Sequence, residues 1–169
     1  TPTAQVVAYV QRTPDGGTTW DDLLALQTAA SPNAASVLQI HRVEVTQAGS
    51  ITSAMVRLVF STRDTAGTLT TTAVTPANLA LGGPASGLSG NTSVIGAVAR
   101  IGINSSADSG GTYTNHGAVA PNQLNGWLYL PTPKEQIIIP PSTVWCVRFA
   151  TAPESTADWD VTVTFEELI

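Results

Sequence analysis

Two histidines, one cysteine and three close pairs of carboxylates are the groups in this chain whose types could carry chemistry. His41 sits beside Arg42 and Glu44 in an alternating run, and His116 follows Asn115 in a polar one; each reads most simply as a cross-strand polar contact. A serine nucleophile would need a strand, a sharp G-x-S-x-G elbow and a following helix. Gly87-Leu88-Ser89-Gly90 lacks that spacing, and no helical pattern follows it. Asp21/Asp22, Asp158/Asp160 and Glu166/Glu167 fall in turns and at strand ends, where solvated carboxylates are ordinary. Asn104, Ser106 and Asp108 alternate like the first ligands of a calcium loop, but Ser109 stands where that loop needs glycine and Asn115 where it needs glutamate. Asn91-Thr92-Ser93 and Asn104-Ser105-Ser106 match the glycosylation acceptor pattern, which has meaning only on a secretory route. Cys146 lies in the apolar run Ser142 to Ala150 and reads as a small buried hydrophobe; a lone cysteine closes no intramolecular disulfide and makes no metal cluster. The inventory points away from an enzyme and implies neither cofactor nor metal.

Aromatic residues leave a different chemistry open. Trp20, Trp127, Tyr129, Trp145 and Trp159 could form a flat platform for sugar rings, as in β-sandwich carbohydrate-binding modules. Trp145 lies in an apolar run and Trp159 begins a terminal strand, so both are expected in the core or at its rim. Trp20 and Trp127, next to turns, remain the platform candidates.

The elements that must position these groups are short strands. Alternating or short apolar runs recur between clusters of Gly, Pro, Asn and Asp, and sustained helical periodicity is almost absent. Strands are expected near Ala4 to Gln11, Val37 to Thr46, Ala54 to Ser61, Thr68 to Thr75, Val94 to Ile103, Tyr113 to Val119, Trp127 to Leu130, Gln136 to Ile139, Thr143 to Thr151 and Trp159 to Glu166. Val43, Val45, Val56, Leu58, Phe60, Val161, Val163 and Phe165 recur at period two, which sends them to one buried face. Asp15-Gly16-Gly17 and Asn125-Gly126 tolerate positive φ and can reverse the chain, and Thr65-Ala66-Gly67 is expected to close a hairpin. One short helix is expected over Thr19 to Ala29, capped by Thr19, with Asp21 and Asp22 in its first turn. Pro76 to Thr92 and Asn104 to Gly111 read as long loops of small residues. The predicted fold is an all-β, jelly-roll-like antiparallel sandwich over residues 36–169, preceded by an arm of residues 1–35 that holds a strand and the short helix.

Composition narrows the partners. Only 11% of the 169 residues are charged, against roughly 25% in ordinary soluble domains, so the surface must be largely Thr, Ser, Asn, Gln, Gly and Ala. A net charge of −5 leaves no basic footprint to neutralise phosphates, which argues against nucleic acid. No stretch approaches the roughly 18 to 20 apolar residues of a membrane helix, and the N-terminus lacks the pattern of a secretory leader. The chain is expected to be cytosolic, or assembled from the cytosol, and a start at Thr1 fits loss of an initiator methionine. Of the seven basic residues only Lys134 is lysine. Arginine replaces lysine where protein surfaces meet because its guanidinium gives up water more readily, although a high-GC genome produces the same bias.

From about Gln39 onward the order of pieces resembles small β-sandwich structural proteins encoded among the head genes of tailed bacteriophages. The strand MVRLVFSTR (Met55 to Arg63), the Thr-rich GTLTTTAVTP (Gly67 to Pro76), the loop ANLALGGPAS (Ala77 to Ser86), PPSTVWCVRFA (Pro140 to Ala150) and WDVTVTFEE (Trp159 to Glu167) carry the resemblance. It implies a capsid decoration or cement protein on the virion surface, assembled in the host cytoplasm. Its partners would be the major capsid protein and copies of itself, a trimer before a dimer. In that role Trp20, Leu23, Leu24 and Leu26, with Leu79, Leu81 and Leu88 of the long loop, are the apolar groups expected to be buried by neighbouring chains. The alternative is a carbohydrate-binding or tail-fibre, receptor-binding sandwich module.

Overall fold

The computed structural model describes residues 3–12, 22–31, 35–48, 55–63, 76–79, 86, 100–102, 113–150 and 157–168. These form eleven strands: β1 (Thr3–Arg12), β2 (Asp22–Gln27), β3 (Leu38–Ala48), β4 (Leu58–Arg63), β5 (Ala77–Asn78), β6 (Arg100–Gly102), β7 (Tyr113–Val119), β8 (Trp127–Tyr129), β9 (Ile137–Ile139), β10 (Val144–Phe149) and β11 (Ala157–Glu167). A single 3-10 turn, Gln123–Asn125, precedes β8. One sheet runs β5-β1-β11-β3-β8, with β9 also on β3; the other runs β6-β2-β10-β4-β7.

The pairings are nested. β1 pairs with β11, β2 with β10, β3 with β8 and β9, and β4 with β7, all antiparallel, while β11–β3 and β10–β4 contacts complete the two sheets. A long antiparallel ladder folded over on itself in this way is a jelly roll, a double-sheet solution to burying one face of every strand. β5 and β6 arise from the connection between β4 and β7 and extend the sheets on β1 and β2. One edge of the sandwich is therefore extended, and the other is left to β7 and the β8–β9 pair.

All eight residues picked out by period-two alternation, Val43, Val45, Val56, Leu58, Phe60, Val161, Val163 and Phe165, are buried in one core cluster. Tyr113–Val119 is a strand as expected, while the expected Thr68–Thr75 strand and the Thr65–Gly67 turn lie outside the described residues. The helix expected over Thr19 to Ala29 is replaced by strand β2. Its run Leu23-Leu24-Ala25-Leu26 is fully buried on both faces, and a short continuous apolar run buried on two sides suits a central strand better than an amphipathic helix. Ala25 belongs with Val144 and Cys146 on the outward side of the sheet, whereas Leu24 and Leu26 face the main core. Pairing jumps from Leu24↔Val147 to Asp22↔Arg148, so Leu23 is the extra residue of a β-bulge and also turns inward. Residues 1–35 thus supply one strand to each sheet.

Candidate binding cleft at the open edge

Three of the ladders carry a bulge, and the two besides that at Leu23 place the chain's histidines. In the β11–β3 pair the register jumps from Thr164↔Arg42 to Phe165↔Ile40, leaving His41 as the extra residue. In the β4–β7 pair it jumps from Phe60↔Gly117 to Ser61↔Asn115, leaving His116 extra. A bulge re-aims side chains that strict alternation would fix. His41 and Arg42 consequently both lie half-exposed on the outer face of their sheet, where His41 Nε2 is 3.3 Å from Glu166 and Arg42 bonds Glu44 at 2.5 Å.

β8 and β9 form one edge strand that has been interrupted. Trp127, Leu128 and Tyr129 pair with Val45, Glu44 and Val43, and Ile137, Ile138 and Ile139 continue along Ile40, Gln39 and Leu38. Residues 130–136 leave the edge between them, opposite the His41 bulge. The excursion is tied at both ends. Tyr129 OH donates to the Glu135 carbonyl at 2.8 Å, and the Gln136 amide reaches His41 Nδ1 at 3.2 Å and also bonds Gln39. Within it, Glu135 Oε2 accepts from Thr132 N at 3.3 Å and Thr132 Oγ1 at 2.8 Å. At the entrance to β8, Gly126 has φ 64°, and an added Cβ would stand 2.9 Å from the Val45 carbonyl oxygen. Only glycine turns the chain there without strain.

Between β7 in one sheet and β8–β9 in the other the sandwich opens into a cleft. Two cavities of about 310 and 440 Å³ follow it and share His116 and Ile137 as walls. Leu58, Phe60, Val119, Trp127 and Tyr129 give the smaller one an apolar aromatic floor, and His116, Glu135 and the β7 residues Gly117 and Ala118 line it too. The larger is walled by Thr62, Thr114, Ile138 and Thr143 among others. Phe60 packs between Trp127 and Tyr129, at 5.0 Å from each ring, and reaches Trp145 in the core at 5.4 Å. The His116 ring is held by Thr62 Oγ1 at 2.7 Å. Burial first, and the Glu135 carboxylate second, hold the Tyr129 phenol above its ordinary pKa. No described lysine or arginine lines either cavity.

The leucines expected at an interface divide. Leu23, Leu24 and Leu26 are fully buried beneath this chain's own strands, so neighbouring chains do not cover them. Leu79, beside β5, is 51% exposed, and Trp20, Leu81 and Leu88 lie outside the described residues. Other large apolar groups that the described structure exposes are Leu128 on β8, Ile138 on β9, Leu130 between them, Leu124 in the 3-10 turn before β8, and Met55, which is bridged to Asn122 ahead of that turn. Trp145 and Trp159 are core residues, as their surroundings in the sequence suggest. Of the two platform candidates, Trp127 lines the cleft. Tyr129, His116 and Glu135 join it through pairings between distant segments, a signal that single-residue inspection does not contain. Among the described residues no three His, Cys, Asp or Glu side chains converge, and no helix is long and apolar enough to cross a membrane.

No family model, curated protein or solved structure matches the chain.

Proposed function

We propose that the chain is a structural protein of a virus particle, a decoration or cement subunit that binds the major capsid lattice and copies of itself. The observation that carries this reading is the set of exposed apolar side chains on and between β8 and β9, with Leu130 69%, Ile138 58% and Leu128 50% exposed. They are set on a jelly roll whose sequence is poor in charge. Apolar groups this exposed in one area are typical of a contact surface, and few charges oppose close approach. Leu79 lies on the other side of the same sheet, next to β5. Apolar groups at opposite edges suit head-to-tail contacts, which close into rings when the rotation allows, and this is why a trimer is favoured over a twofold dimer. No fold alone dictates such a role, since jelly rolls also serve as sugar-binding domains.

Cosedimentation with expanded capsids tests the reading. A Leu128→Ser/Leu130→Ser variant, which touches neither cleft cavity, is expected to lose particle association steeply, because anchors at an interface contribute about 1 to 3 kcal/mol each and repeat on every copy. Sedimentation velocity of the free protein should show a trimer that the same variant dissociates. A monomer at all concentrations, with unchanged particle binding by the variant, defeats the proposal.

A further inference from the structure

We infer that the cleft between β7 and β8–β9 is a binding site for a neutral pyranose ring of a glycan, a role distinct from assembly through the outer flank. Size and lining come first. The smaller cavity holds about 310 Å³, at the lower end of the range for small-molecule sites, which are mostly apolar with a few placed polar groups. Its floor is aromatic, from Trp127 and Tyr129 backed by Phe60. An aromatic surface takes up the C–H face of a sugar, burying apolar area while the hydroxyls stay at the rim.

The rim supplies partners for those hydroxyls. Both bonds of the Glu135 carboxylate within the chain use Oε2, which leaves Oε1 to accept from a ligand. His116 is anchored through Nε2 by Thr62, so its ring is fixed with Nδ1 still to be used. β7 is the last strand of its sheet among the described residues, and its outward backbone groups add donors and acceptors beside Gly117 and Ala118. Charge then selects the class of ligand. With a carboxylate on the rim and no described lysine or arginine in the lining, a phosphate, sulfate or sialic acid carboxylate would meet repulsion and no counter-charge, whereas a neutral polyol meets neither penalty. The larger cavity, which shares His116 and Ile137 as walls with the smaller and is lined by Thr62, Thr114 and Thr143, gives a second ring somewhere to go.

The test is a titration of the isolated protein with neutral and anionic oligosaccharides, read by tryptophan fluorescence and by retention on a glycan array. Saturable binding of at least one neutral glycan is expected, with sulfated and sialylated glycans retained less. Trp127→Ala should weaken it about 30-fold, and Glu135→Gln, on the exposed rim where folding is not at stake, about tenfold. Exposed Arg57→Gln should change nothing. The inference is overturned by the absence of saturable binding to any neutral glycan up to about 10 mM, by a preference for anionic glycans, or by affinity that Glu135→Gln leaves intact. It is overturned too if glycans fail to bind while His116→Ala weakens self-association in sedimentation, since the cleft would then hold a strand of a neighbouring subunit. Assembly by the outer flank and sugar binding in the cleft fail separately, because the first is read by particle association and sedimentation and the second by glycan titration, each with its own variants.

Discussion

β10 and the β8–β9 edge are both short apolar runs that carry a tryptophan, yet one is sealed and the other open. All six residues of β10 are buried, with β2 on one side and β4 on the other. Its inward residues Trp145, Val147 and Phe149 enter the main core. Its outward residues Val144, Cys146 and Arg148 are no less covered, the largest exposure among them being 2%. The Arg148 guanidinium lies 3.4 Å over the Tyr113 ring and donates to Ser61 Oγ and Asn115 Oδ1 at 3.0 Å each. In β8 and β9, by contrast, Trp127 and Tyr129 are half-buried and Leu128 and Ile138 point to solvent. Place in the sheet, more than composition, decides what a tryptophan or a leucine does.

The largest expected effect sharpens that contrast. Trp145→Ala should cost about 3 to 5 kcal/mol in denaturant unfolding, because its space cannot refill from strands fixed on both sides. Trp127→Ala should cost about 1 to 2 kcal/mol, its ring being only partly removed from water. Equal losses at the two positions would mean that the edge is packed like the centre. Next in size is Arg148→Ala, expected to cost about 3 kcal/mol by removing two charge-assisted hydrogen bonds and emptying the buried space over Tyr113, with Ser61 Oγ and Asn115 Oδ1 left bonded only to each other at 2.7 Å. Arg57→Ala, at an exposed position, should leave stability unchanged. A neutral Arg148→Ala would show that water reaches the outward face of β10.

Gly126→Ala tests how the open edge is held. Its φ of 64° disfavours any side chain, and the new Cβ would meet the Val45 carbonyl oxygen and Thr46 Cγ2, each at 2.9 Å. Backbone cannot step aside as a flexible side chain can, so a loss of about 1 to 3 kcal/mol is expected in thermal or denaturant unfolding. An unchanged stability would show that the start of β8 shifts freely.

These regions also differ in how far their sequence announces them. Alternation of Val43 and Val45, of Leu58 and Phe60, and of Val161, Val163 and Phe165 specified the inward faces, and all seven lie in the core, although in β4 the outward Val59 and Ser61 are buried as well. Leu23 to Leu26 misled because burial on both faces erases alternation, and a bulge adds a second consecutive inward leucine. The cleft was legible only at Trp127. Tyr129, His116 and Glu135 acquire their roles from the β4–β7 bulge and from the interruption of the β8–β9 edge, which are properties of pairing between distant segments.

The smallest effect concerns the Tyr129 phenol. Burial, and secondarily the Glu135 carboxylate, raise its pKa from the ordinary value of 10.0 in the folded protein, while the unfolded chain keeps the ordinary value. The folded state therefore holds this proton more tightly. Its contribution to stability is complete below pH 10 and is lost as pH rises from there through the folded pKa, as the donor to the Glu135 carbonyl disappears. Other groups titrate in that range, so the informative quantity is the difference between wild type and Tyr129→Phe, which removes the ionisable proton and the hydrogen bond together. Denaturant midpoints for the two should differ by a constant up to about pH 10 and converge above it. In the variant, phenolate absorbance should lose a component that titrates above the ordinary value. Glu135→Gln should move that component slightly downward, because the carboxylate is the lesser cause and burial remains. Were the midpoint difference to stay constant through the whole alkaline range, Tyr129 would be as freely solvated as an unstructured tyrosine, and the cleft would not have the partly dry floor that sets it apart from the outer flank.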